Sequence, residues 1–358
     1  MTAAALPASI GSYAGDRTGA GRTAIVFLAV LLLATAVVSL GVGPAALSPA
    51  RVVEILLSGP RPTPDNLGDT VIVWQIRLPR ILLGALVGAS LAAAGALMQG
   101  LFRNPLADPG LAGVSSGSAL GAVGVIVLGG GFLTPLLGPW TLPFAAFFGG
   151  LASTALLYAV ATRQGRTAIA TMLLAGIALG ALAGAVTGFL VFLSDDRQLR
   201  DITFWSLGGL GGASWERLWT CGPIMAAAIL SSPFLARGLN ALVLGEAEAF
   251  HLGLSIQRLK RVAIVVVAAG TAASVAAAGV VGFVGIVVPH LLRLAVGADH
   301  RFLLPASALL GAILILVADM AARTLAAPAE LPIGILTAML GAPFFLWLLL
   351  RRRGLGEF

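Results

Sequence analysis

Charged residues are scarce in this chain of 358 residues, where Asp, Glu, Lys and Arg together make up only 10% of the sequence. A soluble domain usually has about a quarter of its residues charged, so this chain has too little charge for a surface in water. Hydrophobic residues make up 58%. They occur in blocks of roughly twenty residues, long enough to cross a hydrocarbon layer of about 30 Å as helices. The chain is therefore predicted to be an integral membrane protein.

Cysteine and lysine are each present only once. Cys221 cannot form an intrachain disulfide, and its apolar surroundings are typical of a buried thiol. Lys260 lies in the sequence Gln257-Arg258-Leu259-Lys260-Arg261 and does not follow a glycine-rich loop, so the chain has no P-loop. ATP hydrolysis must then take place on another polypeptide, and the chain itself is predicted not to be an enzyme.

Metal-ligating and mid-membrane ionisable residues are also few. His251, His290 and His300 are scattered, which predicts no metal site and no permanently bound cofactor. The apolar blocks are nearly free of charges, which disfavours both an ion-coupled secondary transporter and a membrane-embedded protease. Asp319 lies near the end of a block beside Arg323, where a paired carboxylate is expected. The net charge of +7 comes from residues between the blocks, and this pattern disfavours nucleic-acid binding.

The apolar blocks predict an all-α, polytopic fold of ten transmembrane helices. The spans are placed near residues 24–42, 81–101, 112–130, 140–161, 168–193, 218–236, 261–279, 281–296, 302–320 and 332–350. The glycine-rich junction 279–285 contains no charge, so the boundary there is the least defined. A single membrane domain, residues 24–350, is predicted between an N-terminal tail of residues 1–23 and a C-terminal tail of residues 351–358.

Basic residues predict the orientation. With a cytoplasmic N-terminus, the inner segments hold fourteen of the 22 Lys and Arg residues and sum to +8, whereas the outer segments sum to −1. The positive-inside rule then places both termini in the cytoplasm. Small residues recur at helical spacing inside two spans, which favours close packing of helix backbones. They are Gly84, Gly88, Ser90 and Gly95, and Gly176, Gly180, Gly184 and Gly188.

Several segments closely resemble the FecCD family of importer permeases, which carry ferric siderophores, haem and cobalamin. The clearest are Gln75-Ile76-Arg77-Leu78-Pro79-Arg80 and Ala94-Gly95-Ala96-Leu97-Met98-Gln99-Gly100-Leu101-Phe102-Arg103-Asn104-Pro105-Leu106-Ala107-Asp108-Pro109. Further agreement lies in Gly279–Gly285, Pro289–Arg293, Gly297–Arg301, Ala318–Arg323, Glu330–Gly334 and Gly341–Phe345. The resemblance covers roughly residues 24–353.

The resemblance implies the architecture of the vitamin B12 importer permease, a type II ABC importer in the bacterial inner membrane. It implies ten helices per subunit, a homodimer that encloses the pathway, two separate ATPase subunits that bind ATP, and a periplasmic substrate-binding protein. The amino-acid sequences of Gly100–Gly110 and Phe204–Leu210 are more similar to haem permeases than to siderophore permeases. Haem is therefore the expected cargo, with a ferric siderophore or cobalamin as the alternatives.

Three candidate sites follow from the resemblance. Arg77, Arg80 and Arg323 match arginines that accept acidic residues of the binding protein, although anchoring of helix ends at the headgroups is the alternative. The inner segment with Gly245, Glu246, Glu248, Ala249, Phe250, His251, Leu252 and Gly253 is predicted to form a short helix in a groove of another protein. In the family this helix couples the permease to the ATPase; an ordinary connector is the alternative.

The third candidate is the inner loop 103–109, which contains Asn104, Pro105 and Asp108. Two prolines and an Asn predict a rigid turn. A gate beside the pathway and a purely structural turn are both open roles for this loop.

Overall fold

The protein is built almost entirely of helices in the computed structural model, which describes residues 18–45, 47–61, 63–129 and 133–353. The α-helices are α1 Thr18–Gly41, α2 Pro49–Ser58, α3 Leu67–Thr70, α4 Leu78–Phe102, α5 Val114–Leu128, α6 Leu133–Leu137, α7 Thr141–Ala161, α8 Ile169–Phe192, α9 Asp196–Ser206, α10 Trp215–Ser231, α11 Ala236–Val243, α12 Glu246–His251, α13 Ile256–Ala278, α14 Val284–Ala295, α15 His300–Leu325 and α16 Ile333–Arg353. A π-helical segment, Val71–Arg77, joins α3 to α4. Strands β1 Thr162–Arg163 and β2 Arg166–Thr167 form a small antiparallel hairpin.

Each of the ten predicted spans falls on one apolar helix. Seven helical segments of the described chain are long and apolar enough to cross a membrane, and α5, α14 and part of α16 are shorter apolar helices. The all-α, polytopic fold is confirmed. α1 begins at Thr18, inside the predicted N-terminal tail, and α16 continues to Arg353. Residues 1–17 and 354–358 of the predicted tails lie outside the described residues.

Helices α4, α13 and α15 form the centre of the bundle, and most of their residues are buried, whereas α1 and α8 are mostly exposed along their apolar length. Glycine permits the closest contacts of α4, as the small residues of that span predict, whereas Gly184 and Gly188 of α8 have no such neighbour among the described residues. A Cβ at Gly88 of α4 would lie 2.2 Å from the carbonyl oxygen of Gly311 in α15. A Cβ at Gly95 would lie 2.0 Å from the carbonyl oxygen of Gly285. Any larger side chain there would push the central helices apart.

The backbone between α13 and α14 leaves helical geometry at residues 279–283. Gly279 has φ +69°, and a Cβ there would lie 2.2 Å from the Trp205 carbonyl oxygen. The Gly209 amide donates to the Ala278 carbonyl at 2.7 Å, so neighbouring backbone satisfies polar groups that lipid could not. α14 then begins beside Gly95, seven residues before the end of α4, or about 10 Å inside that end at a rise of about 1.5 Å per residue. This deep start explains why α14 is short.

Candidate functional site

Three arginines gather where α1 ends, α4 begins and α15 ends. Arg77, Arg80 and Arg323 are only 3–5% exposed. Together with Asp319 and Glu330 they form what we call the outer arginine cluster. The sequence predicted the three arginines as one site, and the fold does bring them together.

Arg77 and Arg323 bind the C-terminal end of α1. Arg77 donates to the carbonyl oxygens of Leu40 and Ala45. Arg323 donates to the carbonyl oxygen of Val42 at 2.9 Å and to the Ser39 hydroxyl at 2.8 Å. The last carbonyls of a helix have no partner within it and carry partial negative charge, so guanidinium groups satisfy and stabilise them.

Arg80 and Arg323 share the buried carboxylate of Asp319. The Arg80 Nε donates to Asp319 Oδ1 at 2.9 Å, and the Arg323 Nε lies 3.0 Å from Asp319 Oδ2. The two terminal nitrogens of Arg80 bind Glu330 in a fork, at 2.9 and 3.0 Å. The Asp319 side chain is fully buried, whereas that of Glu330 is 40% exposed. The expected pairing of Asp319 with Arg323 is therefore confirmed.

The arginines thus face inward and tie helix ends together in this conformation. Their partners are groups of the same chain and they are buried, which differs from the headgroup anchoring that was the alternative to docking; docking itself stays a prediction. Sequence reasoning missed Glu330 as a site residue. Its only signal was its place in the segment Glu330–Gly334, and its partner Arg80 lies 250 residues earlier in the chain.

A cavity of about 290 Å³ opens beside the outer arginine cluster. Arg80, Arg217 and Glu330 supply its charged groups, and the non-helical backbone of Gly208–Gly212 and Gly279 forms much of its wall. Irregular backbone within a membrane bundle is tolerated where it lines a cavity or is buried in protein. The cavity therefore combines charged side chains with exposed backbone at this end of the bundle.

The predicted short helix at the opposite end is present as α12, Glu246–His251. Gly245 before it and Gly253 after it have positive φ angles of 123° and 82°, which favour glycine. Ala249 is buried against the bundle, whereas Phe250 and Leu252 are 68% and 64% exposed. These two exposed apolar side chains give α12 a face that the described chain leaves uncovered.

Lys260 fixes α12 to the bundle. Its ammonium group donates to both carboxylate oxygens of Glu246, at 2.8 and 2.9 Å, and to the Thr167 carbonyl at 3.0 Å. We call these three residues the lysine strut. Lys260 is only 2% exposed, so its ammonium N–H groups bind protein oxygens instead of water. The strut joins α12, the β-hairpin and α13, and sequence reasoning missed it because Lys260 stands in a basic run.

A second link connects the preceding helix α11 to α15. The Asn240 side chain donates to Asp299 Oδ1 at 2.7 Å and accepts the His300 backbone amide at 2.9 Å. The hydrogen bond from the Arg301 side chain is the main reason that the pKa of Asp299 is lowered to about 2. The carboxylate therefore stays charged at neutral pH. The Asn240 link joins α11 to α15, and the lysine strut joins α12 to α13.

The predicted turn at residues 103–109 is present. Asn104 Oδ1 accepts the Leu106 amide at 2.9 Å, and Asp108 Oδ1 accepts the Gly110 amide at 2.7 Å. The turn leads into a 3-10 helix, Pro109–Ala112, which reaches Gly285 at the start of α14. The contribution of Asn104, Pro105 and Asp108 to a gate stays a prediction. Within the described residues, no group of three His, Cys, Asp or Glu side chains could hold a metal ion.

The comparisons with known proteins agree with one another. The FecCD transport family matches residues 31–351. A hemin transport system permease protein of Yersinia pestis is 49% identical over 78% of this chain and 84% of its own length. A cobalamin import system permease protein of Halobacterium salinarum is 47% identical over 78% of this chain and 73% of its own length. A vitamin B12 import system permease protein of Klebsiella pneumoniae is 43% identical over 80% of this chain and 84% of its own length.

A solved structure gives the same result at the level of the fold. The chain is similar to a metal-chelate type ABC transporter in an inward-facing conformation, with a TM-score of 0.80 and 35% sequence identity. The similarity covers 92% of this chain and 99% of the other. The all-α fold, the ten apolar helices among the described residues and the similar sequences agree with one another.

Proposed function

Because this chain belongs to the FecCD transport family of ABC importer permeases, we propose that it forms the pathway for haem across the bacterial inner membrane. The observation that supports haem as the cargo is the 49% identity to a hemin permease over most of both chains. Cobalamin is the second candidate, since cobalamin permeases are 47% and 43% identical to the chain. A ferric siderophore is the third, in line with the similarity to a metal-chelate type transporter.

Transport by the reconstituted importer tests the cargo. The permease would be placed in liposomes with its ATPase, and haem, cobalamin or a ferric siderophore would be offered with the corresponding binding protein. We expect ATP-dependent accumulation of haem alone. Accumulation of cobalamin or siderophore instead would replace the cargo and leave the importer assignment intact, whereas accumulation without ATP would contradict the importer itself.

We further propose that two copies of the chain enclose the pathway, with both termini in the cytoplasm. The exposed face of α8 supports a second copy, because Cβ atoms at Gly184 and Gly188 would meet nothing within 4 Å. Small residues on an exposed helix allow another helix to approach closely in lipid. The excess of basic residues in the segments on the side of α12 supports the orientation.

The ATPase is a separate subunit in this proposal, and α12 is its contact. Phe250 and Leu252 are the exposed apolar anchors that a groove on the ATPase would cover. The lysine strut and the Asn240 link would pass a displacement of α12 to α13 and α15. The loop with Asn104, Pro105 and Asp108 is a gate or a fixed turn in this proposal, which is supported by the position of Asp108 and Pro109 beside Gly285 at the start of α14.

The binding protein docks on the outer side in this proposal, and Glu330 controls the access to Arg80. The forked pair between them is partly open to water, so a carboxylate of the binding protein can exchange with Glu330. Charge-assisted pairing of this kind suits a reversible contact. Arg77 and Arg323 add positive electrostatic potential at Arg80 while they bind the C-terminal end of α1.

Replacing Glu330 with Gln should therefore tighten the binding of the substrate-binding protein. A partly exposed ion pair is worth up to about 1 kcal/mol, so a gain of about fivefold in affinity is expected. Surface plasmon resonance on the permease in nanodiscs would measure it. Glu216→Gln removes the same charge from an exposed position of α10 and serves as the control; equal affinities of the two variants would exclude an exchange at Arg80.

A further inference from the structure

A groove of about 370 Å³ runs along the surface between α7 and α13 and shares no lining residue with the cavity beside the outer arginine cluster. Its wall is formed by Leu151, Ala155, Val265 and Ala268, and Tyr158 and Arg261 also line it. Val265 is 61% exposed, so the groove opens sideways from the bundle. In a membrane this opening faces the acyl chains of the lipids.

The polar groups of the groove lie together at one end. Tyr158 is in the last turn of α7, and Arg261 is in the second turn of α13. These helix ends are adjacent, because the Thr167 amide of the hairpin donates to Gln257 at 3.0 Å and Lys260 donates to the Thr167 carbonyl. The groove is therefore apolar along its length and polar at the same membrane face as α12.

Positive charge dominates the surroundings of this polar end. Arg258 and Arg261 are exposed at the start of α13. Arg163 and Arg166 are exposed on the hairpin that joins α7 to α8. The carboxylate of Glu246 on α12 is already paired with Lys260. A ligand with an apolar chain and an anionic head group matches both the groove and its charge.

We infer that this groove binds an anionic phospholipid, with an acyl chain between α7 and α13 and the phosphate at the Arg261 guanidinium and the Tyr158 hydroxyl. Basic pockets between helices at the cytoplasmic face are typical sites for anionic head groups. The aliphatic stem of Arg261 packs along the apolar wall while its charged end reaches the head group. A second copy of the chain is a poorer occupant, because the uncovered small residues that favour helix contact lie on α8.

The site lies directly beside the lysine strut. A lipid that bridges α7 and α13 at this point stabilises the helix ends to which the hairpin and α12 are attached. Anionic lipid therefore stabilises the inner end of the bundle more than zwitterionic lipid does. This inference rests on the membrane location and the proposed orientation of the chain and not on its cargo.

Native mass spectrometry and thermal unfolding of the purified chain test the site. Detergent-solubilised protein would be titrated with phosphatidylglycerol, phosphatidylcholine or inorganic phosphate. We expect phosphatidylglycerol to be retained and to raise the unfolding temperature, and phosphatidylcholine and phosphate to do neither. One arginine near an anionic surface is worth about 1 kcal/mol, so Arg261→Gln should weaken the retention about fivefold.

Two further variants make the test specific. Ala155→Trp fills the groove without a change of charge and should reduce the retention as Arg261→Gln does. Arg237→Gln removes an exposed arginine of α11 that does not line the groove, and its retention should equal that of the wild type. Equal losses in Arg237→Gln and Arg261→Gln, unchanged retention in Ala155→Trp, or equal stabilisation by phosphatidylcholine or free phosphate would each overturn the site.

Discussion

Replacing Asp319 with Asn is expected to lower the free energy of unfolding by about 3–5 kcal/mol, because it leaves buried arginines without their shared counter-charge. Asp319 is fully buried and lies within 3.0 Å of both Arg80 and Arg323. Without the carboxylate the two guanidinium groups face each other in a low-dielectric interior, where like charges repel strongly. The ends of α4 and α15 would then separate, and the cap on α1 would weaken.

Chemical or thermal unfolding in detergent, followed by circular dichroism, would measure this loss. Asp69→Asn is the control, since Asp69 pairs with Arg51 at 2.7 Å but both side chains are 30% exposed. Such pairs contribute at most about 1 kcal/mol. The double variant Asp319→Asn with Arg323→Gln should recover part of the loss, because it removes one uncompensated charge. A loss in Asp319→Asn no larger than in the control would contradict the structural role of the cluster.

Replacing Lys260 with Met is expected to separate ATP hydrolysis from transport. Met has a similar length but no charge, so Glu246 and the Thr167 carbonyl lose their donor and α12 is no longer fixed to α13. A hydrogen bond to a charged group contributes about 1.5–3 kcal/mol, so without the strut the docked position of α12 should be populated at least about tenfold less. We expect uptake to fall at least about tenfold, while hydrolysis by the assembled complex changes by less than about twofold.

Uptake and phosphate release, measured on the same proteoliposomes, would give this ratio. Arg258→Met removes the same charge from an exposed position two residues earlier and should leave the ratio unchanged. Glu246→Gln keeps a hydrogen-bond acceptor but loses the ionic attraction, so an intermediate ratio is expected. A parallel loss of uptake and hydrolysis would instead indicate that Lys260 is needed for assembly with the ATPase.

The sequence predicts the spans well because hydrophobic length is a local property. α4, α13 and α15 are read directly from their apolar blocks, and the helix between Gly245 and Gly253 follows from the two glycines. The depth at which each helix starts within the bundle is not set by the sequence of that helix alone. α14 is short because it starts beside Gly95 of α4. No pattern within residues 281–296 predicts the contact with Gly95.

The orientation of charged side chains is likewise set by distant parts of the chain. The sequence groups Arg77, Arg80 and Arg323 correctly, but the carbonyls that bind Arg323 lie more than 280 residues away, on α1. Lys260 is a similar case, since Arg258 and Arg261 on either side of it face outward. At about 100° per residue, a basic run on a helix necessarily points in several directions.

The burial of Lys260 also determines how the chain reacts with amine-directed reagents. Lys260 is the only lysine of the sequence, and its ammonium group is enclosed by Glu246 and Thr167. Acylating reagents require an accessible amine, and Lys260 is only 2% exposed. Apart from the amino terminus, the folded chain should therefore resist such reagents, and acylation of Lys260 during turnover would mark the moments when α12 separates from α13.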